Sequence, residues 1–475
     1  RRDDRMILDA RNSAVELDRR TPILIIGGGV AGITLARKLA RHTRVTLLEA
    51  GGFEPEADVQ SIYDGEAVGL PYSLTATRLR FLGGTSNHWG GWCGRFDDLD
   101  FRVRDWVPHS GWPIESSDIA PYYAEAADLL DLGRAEFSPA ALTDDPRLAA
   151  FTANPWLDHR AFRFSLPVTR FGAKYRGELE ASDTIELLLH ANATELRMDE
   201  AGGRIADVRV RTLDGRRGTI RAGTVILCCG AIENARLLLA SRNQVDHGVG
   251  NAHDRVGRFF MEHPHVNLMD LLPRDMDWCY GQMALRKDGN HWFGFGLTLN
   301  EEVMRADRCL NLTAHFMNRE CRAGETVAVS AMFEQAPNPD SRVTLSDAVD
   351  ALGLPRVRLD WQLTELDRHS FRRAAQRIAG ALGSTGLGRV RVGAWAGDDP
   401  PERIGYGSHH MGTTRMAASP RDGVVDADCR VHGLDNLYVA GSSVYATGGP
   451  INPTFTLTSL ALRLADHLQG RTTGP

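Results

Sequence analysis

The chain has 475 residues, of which 43% are hydrophobic and 24% are charged, and its formal net charge is −6. This length suggests about two to three domains, and the composition is that of an ordinary globular protein. No basic stripe is present, so we expect no nucleic-acid partner. No apolar run approaches the ~18 residues that span a bilayer, so we expect a cytoplasmic protein without a membrane partner.

The segment 21–52, TPILIIGGGVAGITLARKLARHTRVTLLEAGG, predicts a βαβ unit. Ile23–Ile26 is short and apolar, as a buried strand is. Val30–Arg41 carries apolar residues at helical spacing, and Val45–Leu48 forms a second apolar strand. A strand, a helix and a second strand in this order are typical of a nucleotide-binding fold.

The turn between the first strand and the helix has the spacing GxGxxG, formed by Gly27, Gly29 and Gly32. The first glycine permits a tight turn, the second lets backbone approach a pyrophosphate, and the third lets helix and strand pack closely. Glu49 ends the second strand about 20 residues later, where a carboxylate binds ribose hydroxyls. We therefore predict a dinucleotide site that favours FAD or NAD over NADP.

A second glycine-rich segment, RFLGGTSNHWGGWCGRFD at 80–97, brackets small polar residues between two glycine pairs. Such a run forms neither a core strand nor a stable helix, because glycine loses too much conformational freedom there. It predicts a loop held in a special shape, with His88 at its centre.

The rest of the chain alternates between strand-rich and helical segments. An amphipathic helix is predicted from about Ser117, a buried strand at Val225–Cys229, and a helix at Glu365–Leu382 within a β-rich unit. A closing helix is predicted at Thr454–Leu468. Because strand patterns of the nucleotide type recur late in the chain, this domain is expected to be discontinuous. We predict a nucleotide-binding domain of 1–115, 181–275 and 401–475, with 116–180 and 276–400 forming an inserted domain; the family resemblance described below implies that these are the FAD-binding and substrate-binding domains.

Few residues suggest chemistry on their own. His409 and His410 lie in the loop GSHHMGTTRM, where a neutral imidazole can accept a proton near pH 7, although such a histidine can also be a plain turn residue. Asn452 precedes Pro453, which is common in turns. The motif EHPH at 262–265 lacks further ligands, and the seven scattered cysteines form no CxxC pair, so we predict no metal site.

Taken together, the motifs IIGGGVAGITLARKLA, LGGTSNHWGG, VILCCGAIENARLLLASR, SHHMGTTRM and VAGSSVYATGGPINPTFTLTSLALRLADHL resemble the glucose–methanol–choline (GMC) oxidoreductases. The resemblance runs through the whole chain in family order. Its motifs look most like the branch with pyranose 2-oxidase, fructose dehydrogenase and bacterial glycoside oxidases. It implies an α/β (α+β) protein in which a Rossmann-like FAD domain of discontinuous segments holds an inserted domain on a mostly antiparallel sheet with helices.

The resemblance also implies a mechanism. His409 would accept the hydroxyl proton of an alcohol, Asn452 would hold its oxygen, and flavin N5 would accept a hydride. His410 stands where many relatives have proline, and it either supports the site or is a plain loop residue, the second being favoured.

A larger set of residues is implied to contact FAD. The set consists of Gly27, Gly29, Gly32, Glu49, Gly84, Thr85, Asn87, His88, Ala193, Gly230, Gly441, Ser442, Pro453 and Thr454. Within it, His88 has two alternative roles: a covalent link to the flavin 8α carbon or, as favoured here, simple packing against the flavin rim. Pro453 and Thr454 are expected beside the flavin pyrimidine ring, at the N-terminus of the closing helix.

Several functional alternatives stay open at this stage. The expected reaction is oxidation of a sugar or glycoside hydroxyl to a carbonyl, with Gln335 as a residue that could reach the cavity. The alternatives are oxidation of a non-sugar alcohol and a lyase that keeps FAD only as scaffold. A non-enzymatic flavin protein would leave the His409–Asn452 pair unexplained. The electron acceptor, whether O2, a quinone or another compound, and the oligomeric state stay open, while the lack of a CxxCH motif argues against a fused cytochrome.

Overall fold

A computed structural model describes residues 6–148, 154–317, 322, 324–397, 401 and 403–472 of the chain. Its strands are β1 Ile7–Asp9, β2 Arg19–Ile26, β3 Val45–Leu48, β4 Gly65–Ala67, β5 Leu157–Phe164, β6 Ile185–Leu189, β7 Asn192–Met198, β8 Ile205–Arg211, β9 Arg217–Leu227, β10 Pro264–Pro273, β11 Arg286–Asp288, β12 His291–Leu299, β13 Leu312–Phe316, β14 Val327–Phe333, β15 Arg342–Val349, β16 Pro355–Asp360, β17 Gly388–Val392, β18 Gly405–Tyr406 and β19 Leu437–Val439. Its α-helices are α1 Val30–Leu39, α2 Ala57–Gln60, α3 Asp98–Phe101, α4 Ser116–Ile119, α5 Tyr123–Leu129, α6 Pro139–Leu142, α7 Phe171–Ala181, α8 Ala231–Ala240, α9 Met276–Met283, α10 Glu301–Asp307, α11 Glu365–Ser384 and α12 Thr454–Thr472.

The βαβ unit predicted from the sequence is present as β2, α1 and β3. The two strands pair in parallel, with Ile23 opposite Val45, and all of β3 is buried. β2 begins at Arg19, four residues before the apolar run, because Arg19 to Thr21 pair with β9. The glycine turn therefore follows the buried end of β2, Ile23–Ile26, as a dinucleotide site requires.

This unit is the centre of an eight-stranded sheet with the order β1-β6-β3-β2-β9-β8-β7, in which β19 also pairs with β9. The pairs from β1 to β9, and β9 with β19, are parallel, whereas β8 pairs antiparallel with β9 and β7. Parallel strands share one direction, so the carboxyl ends of β2, β3, β9 and β19 meet at one edge of the sheet. The loops that follow them are thereby brought together.

A second sheet, also of eight strands, has the order β11-β12-β13-β14-β10-β17, with β5 on β12 and β18 on β10. All of its pairs are antiparallel. Helix α11 packs on this sheet through fully buried residues such as Phe371, whose ring lies 4.6 Å from that of Phe333 between centroids. The predicted α/β fold with a mostly antiparallel second sheet and helices is confirmed.

The strands of the first sheet come from residues 7–48, 185–227 and 437–439, so this sheet is discontinuous in sequence. The second sheet includes β5 and also β10, at Pro264–Pro273. A small third sheet of β15, β16 and β4 joins early and late segments. The exact domain bounds given above stay a prediction.

The predicted amphipathic helix near Ser117 occurs as two short helices, α4 and α5, separated by a 3-10 turn at Ala120–Tyr122. Pro121 lies in this turn, and proline lacks the N–H that a continuous helix needs, which explains the interruption. At the other end of the chain, α12 packs against α1 and α5. None of the helices in the described ranges combines the length and the apolar character needed to cross a bilayer.

The packing of α1 on β2 depends on Gly32, since a Cβ added there would lie 1.9 Å from the carbonyl oxygen of Gly27. We expect Gly32→Ala to lower the free energy of unfolding by about 3 kcal/mol, because backbone must move to relieve the overlap. Gly177→Ala is the matched control: this exposed helical glycine has open space around its Cβ position. It should stabilise by about 0.5–1 kcal/mol. Urea unfolding followed by circular dichroism measures both, and equal effects of the two substitutions would contradict the packing role of Gly32.

Candidate active site

A cavity of about 520 Å³ opens at the carboxyl edge of the first sheet. Its walls are the loops after β2, β3, β9 and β19, the glycine-rich segment from 83 to 92, and two loops near residues 407–410 and 452–454. Most of the residues predicted from the sequence line it. They are Gly27, Gly29, Glu49, Gly84, Thr85, His88, Ala193, Gly230, His409, Gly441, Ser442, Asn452, Pro453 and Thr454.

Two predicted cofactor contacts are not part of the cavity wall. Gly32 lies within α1, behind the turn at Gly27. Asn87 points back into its own loop, where its Nδ2 donates to the carbonyl oxygen of Leu82 at 2.9 Å. Both residues contact protein backbone and not the cavity: Gly32 packs against Gly27, and Asn87 binds the carbonyl of Leu82. They therefore help to shape the two glycine-rich segments that line the cavity.

The glycine-rich loop around His88 is held against the first glycine turn. Gly83 donates its N–H to the carbonyl of Gly28 at 2.8 Å, and Gly83 has a φ of 95°, in the region that favours glycine. From the other side, Arg170 donates from one Nη1 to the carbonyls of Ser86 and Trp89. The loop therefore forms a second wall of the cavity, with His88 exposed at its rim.

The carboxylate of Glu49 is fixed by backbone. It accepts hydrogen bonds of 2.9 Å each from the N–H groups of Gly28 and Gly51. Burial raises the pKa of Glu49, and these two bonds together with nearby Arg80 oppose that rise. A carboxylate held rigidly at the end of β3 is suited to bind ribose hydroxyls.

Arg80 also lines the cavity and fits a nucleotide ligand. One of its Nη2 protons goes to Asn192 Oδ1 at 2.9 Å, but its buried Nε has no hydrogen-bond partner among the described residues. A buried donor without a partner costs free energy unless a ligand accepts from it. Glycine backbone at the helix N-terminus, a fixed carboxylate and an unsatisfied arginine donor together fit a dinucleotide with a negatively charged pyrophosphate.

His409 and Asn452 are neighbours in the wall of the cavity. Asn452 Nδ2 lies 3.1 Å from His409 Nε2, and both residues line the cavity. On its other side, His409 Nδ1 lies 2.8 Å from Nδ1 of His263. Burial holds the pKa of His409 well below its ordinary value, with further lowering by His263. The ring is therefore neutral near pH 7 and able to accept a proton.

Glu262 holds the backbone of the His409 loop in place. Its carboxylate accepts from the N–H groups of Gly407, His409 and His263, and from the hydroxyl of Tyr72 at 2.6 Å. Burial raises the pKa of Glu262 to about 7, whereas these four donors favour the ionised form. The position of His409 thus depends on a buried carboxyl group that the cavity does not contact.

Two further residues singled out from the sequence have clear positions. His410 lines the cavity, and its Nε2 has no partner within the described part of the chain. Its role stays a prediction. Gln335 does not line the cavity. It is buried, it accepts from the N–H of Glu262 and from Trp361 Nε1, and it donates to the carbonyl of Gln362.

Sequence reasoning missed Tyr72, Arg80, Glu262 and His263. The motif EHPH was considered only as a metal site, and in the structure its first two residues support His409 instead. His263 and His409 are 146 residues apart, so no local pattern joins them. The one available signal in the sequence was an acidic residue next to a histidine, Glu262 and His263, directly before an apolar strand. Two such polar residues at the end of a buried strand indicate a polar cluster.

Comparison with known proteins agrees with this site. A family model described as GMC oxidoreductase matches residues 337–461, which include both His409 and Asn452. The structure is similar to that of pyridoxine 4-oxidase from Mesorbium loti, with a TM-score of 0.62 and 18% identity over 95% of this chain and 99% of the other. This second likeness concerns the fold alone.

Three curated relatives align over nearly the full chain. The fructose dehydrogenase large subunit of Gluconobacter japonicus is 25% identical over 94% of this chain and 97% of its own length. The 6'''-hydroxyparomomycin C oxidase of Streptomyces lividus is 26% identical over 95% and 92%. The 2-methyl-1,2-propanediol dehydrogenase of Mycolicibacterium austroafricanum is 25% identical over 95% and 96%. The motifs, the fold and the family match agree in their likeness to the GMC oxidoreductases, a family of FAD-binding flavoproteins.

Proposed function

We propose that this protein oxidises an alcohol to a carbonyl compound with FAD as its cofactor. The observation that carries the proposal is the pairing of His409 Nε2 and Asn452 Nδ2, 3.1 Å apart on the wall of one cavity. A proton acceptor beside an amide donor is complementary to a hydroxyl group, which donates through hydrogen and accepts through oxygen.

FAD is the cofactor that the cavity and the family favour. Gly27, Gly29, Glu49 and Arg80 would hold the nucleotide part. Pro453 and Thr454 also line the cavity where α12 begins, and a helix N-terminus favours negative charge. When bound, the flavin supplies the hydride acceptor that alcohol oxidation requires.

The protein's own part in the reaction is to hold the alcohol and take its proton. Asn452 Nδ2 would donate to the alcohol oxygen and fix the orientation of its carbon. His409 Nε2 would accept the hydroxyl proton, as a neutral imidazole can.

For the substrate we propose a sugar or a glycoside hydroxyl. Two relatives that align over nearly the full chain are named for fructose and for hydroxyparomomycin C. Two tryptophans, Trp89 and Trp92, line the cavity, and aromatic rings pack well against the C–H faces of sugar rings.

The decisive test is anaerobic reduction of the flavin by a panel that includes fructose, other sugars, glycosides, an aminoglycoside and 2-methyl-1,2-propanediol. We expect a sugar or glycoside to bleach the flavin absorption band fastest. Faster bleaching by the diol or by aromatic alcohols would overturn the substrate class. Turnover with an unchanged band would indicate a lyase. Admitting oxygen or a quinone afterwards identifies the electron acceptor.

Replacing the proposed base should slow the first half-reaction selectively. We expect His409→Ala to lower the rate of anaerobic flavin reduction by about 10²-fold or more, because the hydroxyl proton loses its acceptor. His432→Ala is the matched control, since His432 donates to the carbonyl of Ala417 and lies outside the cavity wall. Stopped-flow spectroscopy gives both rates, and reduction of the His409 variant at the parental rate would exclude this histidine as the base.

We also propose that the flavin is bound without a covalent link. His88 is exposed at the rim of the cavity, and partial burial together with nearby Arg170 lowers the pKa of its ring. No side chain that would hold the ring against the cofactor is recorded for it within the described ranges. Precipitation with trichloroacetic acid should therefore give a colourless pellet and a yellow supernatant. A yellow pellet that becomes colourless in His88→Ala would show instead that His88 carries the cofactor covalently.

A further inference from the structure

A second histidine lies behind the proposed base and outside the cavity. His263 directly precedes β10, is 0% exposed and is not part of the cavity wall. Its Nε2 lies 2.8 Å from the carbonyl oxygen of Gly449 and 3.2 Å from that of Gly448. A carbonyl oxygen only accepts hydrogen bonds, so Nε2 of His263 carries a proton.

The contact with His409 then has one consistent arrangement. The two Nδ1 atoms are 2.8 Å apart, which is a hydrogen-bond distance, so one of them donates. Burial lowers the pKa of His263 to about 4, so this ring is neutral and holds a single proton, which is already on Nε2. The donor must be Nδ1 of His409.

We propose that His263 is a positioning residue that sets the tautomer of His409, placing its proton on Nδ1 and its lone pair on Nε2, toward the cavity. This inference rests on the proposed function, in which Nε2 of His409 accepts the hydroxyl proton. His263 itself touches neither the substrate nor the cofactor site.

The opposite tautomer of His409 is disfavoured on both sides. It would set two lone pairs against each other across the 2.8 Å between the histidines, leaving two buried acceptors without a donor. It would also direct an N–H of His409 at the amide nitrogen of Asn452. The His263 contact selects the tautomer whichever way the Asn452 amide is turned.

His263 has a second effect through its other nitrogen. Gly448 and Gly449 belong to the same loop as Asn452, in the sequence GGPINPT. One imidazole therefore connects the loop of the base with the loop of the amide that faces it. Loss of the ring should therefore make the distance between His409 and Asn452 more variable, and it should also allow both tautomers of His409.

The tautomer can be measured directly. In the holoenzyme labelled with 15N-histidine, nuclear magnetic resonance distinguishes protonated from unprotonated ring nitrogens, and His409 is assigned by the signal lost in His409→Ala. We expect a protonated Nδ1 and an unprotonated Nε2 at neutral pH. A protonated Nε2 in the parental enzyme would overturn the inference.

Two substitutions of His263 separate its two hydrogen bonds. Asparagine places an amide oxygen near the position of Nδ1, so His263→Asn retains an acceptor for His409, whereas His263→Ala retains none. We expect His263→Asn to keep the His409 tautomer and to reduce the flavin within about threefold of the parental rate. His263→Ala should give a mixed tautomer and a rate at least about tenfold lower, since a catalytic imidazole in the wrong tautomer loses its function.

His369→Ala is the control for loss of a histidine-to-carbonyl hydrogen bond far from the site, because half-buried His369 donates to the carbonyl of Asp307 in helix α10. Circular dichroism and flavin content show whether each variant is folded. Equal tautomers and equal rates in His263→Ala and the parent would refute the role of His263.

If no alcohol reduces the flavin, the proposed function fails, while the resonance measurement still decides the tautomer. If an alcohol does reduce it but the tautomer of His409 does not depend on His263, only the present inference fails.

Discussion

The parallel pairing of β2, β3, β9 and β19 is the constraint on which the rest of the site depends. Because these strands run in one direction, their carboxyl ends lie at one edge, and each is followed by a loop that lines the cavity. The pairing of these strands brings together residues that are far apart in sequence, from Gly27 to Ser442. The glycines at this edge keep backbone N–H groups accessible, because side chains there would fill the cavity or meet the neighbouring loop.

The second sheet fixes the position of the proposed base, His409. β10 pairs with β14 and β18, and the residues just before β10 are Glu262 and His263, which bind the backbone and the ring of His409. Removing polar groups from water is costly, and here each is paired with several donors or acceptors. The buried polar cluster thus helps to hold the loop of His409 in a defined conformation.

The sequence predicted the parts of the site that depend on local patterns. The turn at Gly27 follows from a strand, three spaced glycines and a helix, and β3 has the predicted bounds, Val45–Leu48. It did not predict that α4 and α5 are separate, since the effect of Pro121 depends on how the chain turns there. Arg80 and His263 were missed for a different reason. Their importance comes from partners more than one hundred residues away, and such contacts leave no spacing in the sequence.

The histidines of the site show why this architecture suits proton acceptance. Burial lowers the pKa of His263, His409 and His410 alike, so three imidazoles near the cavity are neutral. A neutral ring has one lone pair, and its direction matters more than its basicity when the substrate must approach from one side. For His409, the direction of the lone pair is set by His263, whose Nδ1 accepts the proton on Nδ1 of His409. The cost of burying two neutral histidines is partly offset by their mutual hydrogen bond and by the carbonyls of Gly448 and Gly449. Transient charge on His409 during proton transfer would be stabilised by the same contact, because His263 keeps a lone pair directed at the Nδ1 proton throughout.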